Sequence, residues 1–312
     1  MKIAVLMYTF NGSAYIDEQV KSIIDQDIAG KAELKLFVRD DGSSDNTQSI
    51  LDTYQSDGKL TWYTGEKIGS TRSYWELMDK AGEADYYAFA EQDDFWLPEK
   101  LSRAVKYIET KAIIEGKETE VADGPMLYCG ECTVTDLKLK PIGFKSNPAN
   151  KYNDFEHSVV FSSRPGCTYV FNSAALKVFK RYDVNNLAAP EYEDLARNIM
   201  HIAGTVIFDR VPSVYRRKNK VKPSYKGGFF GWYGINKELK NASGKEKSGM
   251  AKSLMEAFPD ELKNTKKLDV LKQVGYYIAD SSERGNILLN SKFATGSYMD
   301  NWFIKAINTN KL

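Results

Sequence analysis

Residues 85–96 read DYYAFAEQDDFW, an apolar run that ends abruptly in Glu91-Gln92-Asp93-Asp94. The run is short, carries aromatic residues and has no helical period, so it reads as a buried strand that delivers its last residues into an acidic turn. Strand ends in open α/β sheets face the ligand crevice, which makes two adjacent carboxylates at this point well placed to hold a hard cation. Magnesium or manganese bound through one or two carboxylates also takes phosphate oxygens of a substrate. The bland alternative is a solvated acidic turn.

Working outward from this stretch, the chain alternates strand and helix. KIAVLMY at 2–8 is an apolar run closed by Asn11-Gly12, which predicts a first buried strand and a turn. From Ser13 to Asp27, Ile16, Val20, Ile23 and Ile24 recur at helical spacing, with Ser13 as cap. LKLFVRD at 34–40 is a second strand, followed by DDGSSDNT and a helix over 46–55. LTWYTG at 60–65 and RSYWELMDKA at 72–81 repeat the unit, and Pro98 opens a helix over EKLSRAVKYIET. Alternation of this kind predicts a mostly parallel central sheet flanked by helices, with residues 1–110 as a Rossmann-like, nucleotide-binding half.

Beyond 110 the order is mixed. Strands are expected at 126–135, 167–172 and 205–211, and helices at 173–181 and 191–203, forming an acceptor half over 111–225. After Pro223 come the Gly-aromatic stretch YKGGFFGWYG and lysine-rich helical patterns, MAKSLMEAF and KKLDVLKQVGYYIAD, so 226–312 is expected to be a separate helical extension. Its helices offer a surface for homo-oligomer formation.

Composition narrows the functional classes. Apolar residues make up 42% and charged residues 27% of 312, the balance of a folded globular chain. A formal net charge of +1 gives no global basis for nucleic-acid binding, which draws on a large positive excess. No apolar run is long enough to span a membrane, and MKIAVLMYTFNG turns polar too early for a signal peptide, so a cytoplasmic location is expected. Three cysteines make no disulfide framework, and the Cys129/Cys132 pair reads as part of a strand. His157 and His201 are too scattered for a histidine metal site.

A second acidic loop, Asp40-Asp41-Gly42-Ser43-Ser44-Asp45, also follows a strand directly. Its carboxylates can hydrogen-bond a base or ribose, or it can simply cap the next helix. Neither GxGxxG after the first strand nor GxxxxGK[ST] occurs, which disfavours the dinucleotide and P-loop modes and leaves the phosphate to a metal. Residues 210–226, RVPSVYRRKNKVKPSYK, are basic without an acid. Three readings stand for them: a leaving diphosphate held by Arg216 and Arg217, a solvated loop, or attraction to anionic lipid headgroups. The adjoining Phe229, Phe230, Trp232 and Tyr233 are either core for the C-terminal helices or a peripheral contact with a membrane surface.

Taken as a set, YTFNGSAYIDEQVKSI, DDGSSDNT and EQDDFW at three strand ends, with GCTYVFN at 166–172, resemble the family 2 glycosyltransferases, and within them the bacterial rhamnosyltransferase-like branch that builds surface polysaccharides. The resemblance covers residues 2–224 and implies a GT-A fold with a DxD-type motif, a Mn2+ or Mg2+ cofactor, a UDP- or dTDP-sugar donor and a saccharide or lipid-linked saccharide acceptor. It implies that Thr9, Asn11 and Tyr15 line the nucleotide pocket, Asp40 reads the base, Asp41 supports that loop and Arg72 approaches the donor. Gln92 fits the branch's motif, Asp93 and Asp94 carry metal and donor contacts, and Glu91 stands where Asp is more usual. A carboxylate at the head of a later helix would be the base of an inverting displacement. APEYEDLARNIMHIAG offers Glu193, on spacing from Gly204, and Asp194, on the family's Glu-Asp pair; both stay open. Lys218 stands where the family's Tyr-Arg-x-His segment has His.

Two rivals remain. A nucleotidyltransferase of similar fold would carry a Gly-rich basic loop after the first strand, which YTFNGSAY lacks. A noncatalytic binding or scaffold subunit has no need of a retained Asp93, Asp94 and 193–194 carboxylate set.

Overall fold

The first strand sets the architecture because it is buried on both sides. In a computed structural model, which describes residues 1–28, 30–114, 124–142, 153–160, 165–218 and 244–276, β1 (Lys2–Thr9) is the centre of a parallel block. It pairs with β2 (Glu33–Asp40) and β4 (Tyr86–Glu91), while β3 (Leu60–Thr64) extends β2. Ile3, Val5 and Met7 pack with Ile16, Val20 and Ile23 of α1 (Ile16–Ile24) in one core. The opposite face is aromatic: Phe89 meets Tyr74 of α3 (Ser70–Lys80) and Phe171 of β7 (Tyr169–Asn172) at 4.7 and 5.1 Å between rings. Helix α2 (Thr47–Ser56) joins β2 to β3, and α4 (Lys100–Ile114) follows the acidic turn.

With β5 at Asp94–Trp96, β6 at Met126–Thr135 and β8 at Thr205–Arg217, the order β3-β2-β1-β4-β7-β6-β8-β5 makes one eight-stranded sheet among the described residues. It is parallel through β4 and antiparallel on both sides of β7, whose other neighbour is β6 (Met126–Thr135). The chain builds outward from β1 to β3 and then returns to β4 on β1's other side. That reversal puts the topological switch at the carboxyl ends of β1 and β4, where α/β sheets open their crevice.

Several element ends differ from expectation. Ser13 does not cap α1; Tyr15 holds that position, and the Ser13 amide donates to Asp45 Oδ2 at 3.1 Å. Pro98 lies ahead of α4 and uses its carbonyl to accept the Asp27 amide at 3.0 Å. After the turn, Asp94–Trp96 forms a further strand, β5, antiparallel to β8 (Thr205–Arg217), which runs well past the expected end at 211. Pro212 does not stop β8 because it lies in a bulge of β8 itself, where residues 208–214 of β8 run against only Cys129–Cys132 of β6 and a missing N–H is tolerated. Helix α5 (Phe155–Val160) was not expected. Helices α6 (Ser173–Phe179) and α7 (Tyr192–Ala203) fall where the patterns put them. Cys129 lies in β6, and all three cysteines are free.

The chain folds as two units. The first comprises Met1–Lys145, Arg164–Val184 and Glu191–Val221; the second comprises Ser146–Ser163, Asn185–Pro190 and Lys222–Leu312. The second therefore draws on two stretches that the expected boundary at 225/226 leaves in the acceptor half. Within it, Phe155, Met250, Leu254, Phe258, Leu271 and Val274 are buried on the helices Phe155–Val160, Gly244–Ala257 and Lys266–Tyr276 and their junctions. No helix of the described residues is long and apolar enough to cross a membrane.

Candidate active site

At the switch, Gln92 ties the ends of β1 and β4 together. Its Oε1 accepts the Phe10 amide at 2.9 Å and the Thr9 hydroxyl, and its Nε2 donates to the Phe10 carbonyl at 3.2 Å. Gly12 is required beside it, since a Cβ there would stand 2.4 Å from Gln92 Oε1. Asn11 adopts φ of +51°, a conformation Asn tolerates, and its Oδ1 accepts the Ser44 amide at 2.9 Å, joining the β1 loop to the β2 loop. Thus Thr9, Asn11 and Gln92 are brought together.

Asp40 and Asp41 are buried and satisfied by the protein. Asp40 accepts the Ser43 amide at 2.9 Å and Gln48 Nε2 at 2.7 Å. Asp41 is paired with buried Arg39, which also donates to the Glu66 carbonyl at 2.7 Å and to Glu76 at 3.2 Å. Arg39 thereby ties Asp41 to Glu66 and Glu76 within the protein.

The Glu91–Asp94 turn is built differently. Glu91 accepts the Tyr192 hydroxyl at 2.8 Å and Arg216 Nη2 at 3.2 Å. Asp94 is 0% exposed; no nitrogen or oxygen donor meets either of its oxygens, and only the Cys167 thiol stands beside them. Burial first, and then the Glu91 charge, hold both Asp94 and half-buried Asp93 above the usual carboxylate range. Beneath the turn, the Lys100 ammonium lies 3.5 Å over the Trp96 ring, also without a hydrogen-bond partner, and burial lowers its pKa to about 7. Ligand atoms of Glu91, Asp94 and Cys167 lie within 4.8 Å of one another, the group among the described residues that could hold a metal. It contains no histidine.

The head of α7 reaches the same place. Glu193 is half-buried and raised from 4.5 to about 8, by desolvation first and then by Glu91 and Asp194. Tyr8, near the end of β1, is raised to about 12 by burial and by Glu91, Glu191, Asp93 and Glu193. One phenol thus feels the acids of both the turn and the helix. Asp194 is drawn away: it is buried in an ion pair with Arg197 at 2.9 Å, and Arg197 also donates to the Tyr169 hydroxyl at 3.1 Å. Gly166 makes room for the Tyr192 ring, which a Cβ would meet at 2.1 Å.

Other expected residues are less direct. Arg72 donates its Nε to the Val184 carbonyl at 3.1 Å. Tyr15 lies under the Arg217 guanidinium, 4.8 Å from ring centre to Cζ. Arg216 reaches the acidic turn, but Arg217 is 5% exposed and bonded to protein oxygens. The basic run beyond Lys218, and Phe229, Phe230, Trp232 and Tyr233, lie outside the described residues. The sequence reading missed Tyr8, Cys167, Tyr192 and Arg197; the i,i+3 spacing of Asp194 and Arg197 was the available signal for the last.

This geometry can be set beside known proteins. The profile of glycosyl transferase family 2 matches residues 4–173. The dTDP-rhamnosyl transferase RfbG of Shigella flexneri is 27% identical over 192 residues, 59% of this chain and 60% of that protein, so the chain spans about 60% of this relative's length. The uncharacterized glycosyltransferase MJ1057 of Methanocaldococcus jannaschii is 24% identical over 77% of this chain and 80% of its own. In fold, the chain is similar to the crystal structure of Staphylococcus aureus TarS 1–349, with a TM-score of 0.57, 16% identity, and coverage of 100% of this chain and 91% of that one. A profile match across more than half of the chain, a GT-A-type sheet and an acidic strand end at its switch point lead to one assignment: the chain belongs to glycosyl transferase family 2.

Proposed function

We propose that this is an inverting glycosyltransferase that uses Mn2+ or Mg2+ to move a sugar from a nucleoside diphosphate to an acceptor hydroxyl in the synthesis of a bacterial surface polysaccharide or glycoconjugate. The observation that carries the reading is the surplus of buried negative charge. Glu91 acts on Asp93, Asp94 and Glu193 alike, Arg216 pairs with Glu91, and Asp93, Asp94 and Glu193 are all held above the ordinary carboxylate range. A buried carboxylate without a partner is costly unless it is neutral or meets a cation. The orphan oxygens of Asp94 fit such an ion, and carboxylate oxygens are what Mg2+ and Mn2+ select, whereas the Cys167 thiol is too soft a ligand for either. We assign the cation to Asp94 and Asp93, with Glu91 beside them. When bound, it neutralises the charge that develops on the departing diphosphate.

The remaining work falls to the chain's own groups. Glu193 takes the acceptor hydroxyl's proton; a pKa near 8 gives it the basicity a general base needs near neutral pH. Asp194, committed to Arg197, is the weaker candidate. The deprotonated oxygen attacks the anomeric carbon as the bond to the diphosphate breaks on the opposite face, and the proton stays on Glu193. Arg216 offers a charge-assisted donor to the phosphates. Thr9, Asn11, Tyr15, Asp40 and Arg72 form the donor side. The name of the Shigella relative favours a dTDP-deoxyhexose as the first donor to try, with a UDP-sugar as the alternative.

Thermal unfolding with Mn2+ and a panel of UDP- and dTDP-sugars tests this. A matching donor raises the midpoint as its concentration passes the dissociation constant, the stabilisation reaching about 2.7 kcal/mol at a hundredfold excess. Glu193→Gln should keep that shift and lose transfer by about 10²–10⁴-fold. A flat response to every nucleotide, or undiminished transfer in Glu193→Gln, overturns the reading.

A further inference from the structure

Arg216 and Arg217 are consecutive on β8, and successive side chains of a strand leave opposite faces. Arg216 goes to the Glu91 carboxylate at 3.2 Å. Arg217 goes to the main chain of the acidic turn itself: its Nη1 donates to the Asp93 carbonyl at 3.0 Å and to the Asp94 carbonyl at 3.3 Å. Its Nε donates to the Leu137 carbonyl at 3.2 Å, its Nη2 pairs with Glu18, and its flat face covers the Tyr15 ring at 4.8 Å. One guanidinium therefore joins the turn to the start of α1 and to the segment after β6.

We propose that Arg217 is a positioning residue for the cation site and not a phosphate ligand: by binding the carbonyls of Asp93 and Asp94 it fixes the path of the turn and so aims the two carboxylates. The inference rests on the metal reading above. Its physical basis is the planar fork of Arg, which presents several donors in one rigid plane, whereas Lys concentrates its charge at one point. A diphosphate would have to strip these bonds from a side chain 2% exposed. Groups that orient metal ligands typically govern affinity about 10–100-fold when altered, without touching the ion.

The test uses the full chain with Arg217→Lys and, as a second variant, Glu18→Gln, whose altered side chain is 57% exposed and leaves Arg217 in place. Mn2+ affinity is measured by calorimetry and by the loss of the free-ion paramagnetic resonance signal, alongside the thermal midpoint and the donor KM at saturating Mn2+. Arg217→Lys is expected to bind Mn2+ about 10–100-fold more weakly, with donor KM near wild type once Mn2+ is saturating. Glu18→Gln should weaken Mn2+ in the same direction by a smaller factor. Wild-type Mn2+ affinity in Arg217→Lys overturns the proposal, and so does a raised donor KM with unchanged Mn2+ affinity, which is the signature of a phosphate ligand. If the wild-type chain itself fails to bind Mn2+, the metal reading falls first and takes the proposal with it.

Discussion

Strands β2 and β4 flank β1, and each ends in a pair of aspartates, Asp40-Asp41 and Asp93-Asp94. Residue type, position at the sheet's carboxyl edge and burial are alike at Asp41 and Asp94. What differs is compensation. Arg39, Ser43, Gln48 and Ser73 supply donors to the first pair, while no nitrogen or oxygen donor reaches the Asp94 oxygens and only the Cys167 thiol is near. The first loop is complete as folded; on the proposed reading the second is completed by a cation. Burial of an acid is therefore not the functional signal in this sheet. The missing partner is.

The comparison breaks most visibly at Arg39. Removing one member of a buried pair leaves an uncompensated charge, so Arg39→Met should destabilise the fold by about 3–5 kcal/mol in urea unfolding. A neutral result would mean that the first loop is no better compensated than the second. Asp94→Asn is the opposite case. In the absence of metal its unfolding midpoint should stay at or above wild type, because the substitution removes a buried acid whose oxygens meet no nitrogen or oxygen donor. Its metal-stimulated turnover should fall by about 10²-fold, since cation stabilisation of a leaving group is worth several kcal/mol. Unchanged Mn2+ stimulation in this variant would remove Asp94 from the cation site.

Much of the parallel block was legible because its signals are local. KIAVLMYT and LKLFVRD are buried apolar runs, and the α1 stripe of Ile16, Val20 and Ile23 lies on one face within nine residues. Strand β5 was not legible: Asp94, Phe95 and Trp96 become a strand only because Arg216, Tyr215 and Val214, more than a hundred positions later, pair with them. Pro212 concealed the second half of β8 for a related reason, since the bulge in β8 that admits it is defined only by the pairing with β6. The site divides the same way. Asp93 and Asp94 could be picked out at a strand end, but the preference for Glu193 over Asp194 depends on a buried arginine, and the Glu91–Asp94–Cys167 proximity depends on β4 and β7 meeting. Arg216 and Arg217 carry a clue in their adjacency. Neighbours on a strand face opposite ways, so they were poor candidates for one shared role.

The last contrast is a slope, and its sign follows from the same difference in compensation. Glu193 binds its proton up to about pH 8 when folded, against 4.5 for the free side chain, and Asp93 and Asp94 are shifted in the same direction. Between about pH 4.5 and pH 7 these acids hold more protons in the folded chain than in the unfolded one, and stability falls as pH rises; above pH 7 the lowered pKa of Lys100 works in the opposite direction and offsets part of the slope. The slope is at most about 1.4 kcal/mol per pH unit for each group, and less where water reaches the carboxylate. Urea midpoints of the metal-free protein should be lower at pH 8 than at pH 5. Adding Mn2+ at pH 8 should restore the midpoint, because a cation favours the ionised acids and removes the reason for the proton excess. The Arg39→Met variant carries the fold defect without disturbing this turn, so its midpoint should respond to pH and Mn2+ as wild type does, from a lower starting value. A metal-free stability that rises from pH 5 to pH 8 would show that these acids find partners the turn does not supply, and the contrast between the two loops would collapse.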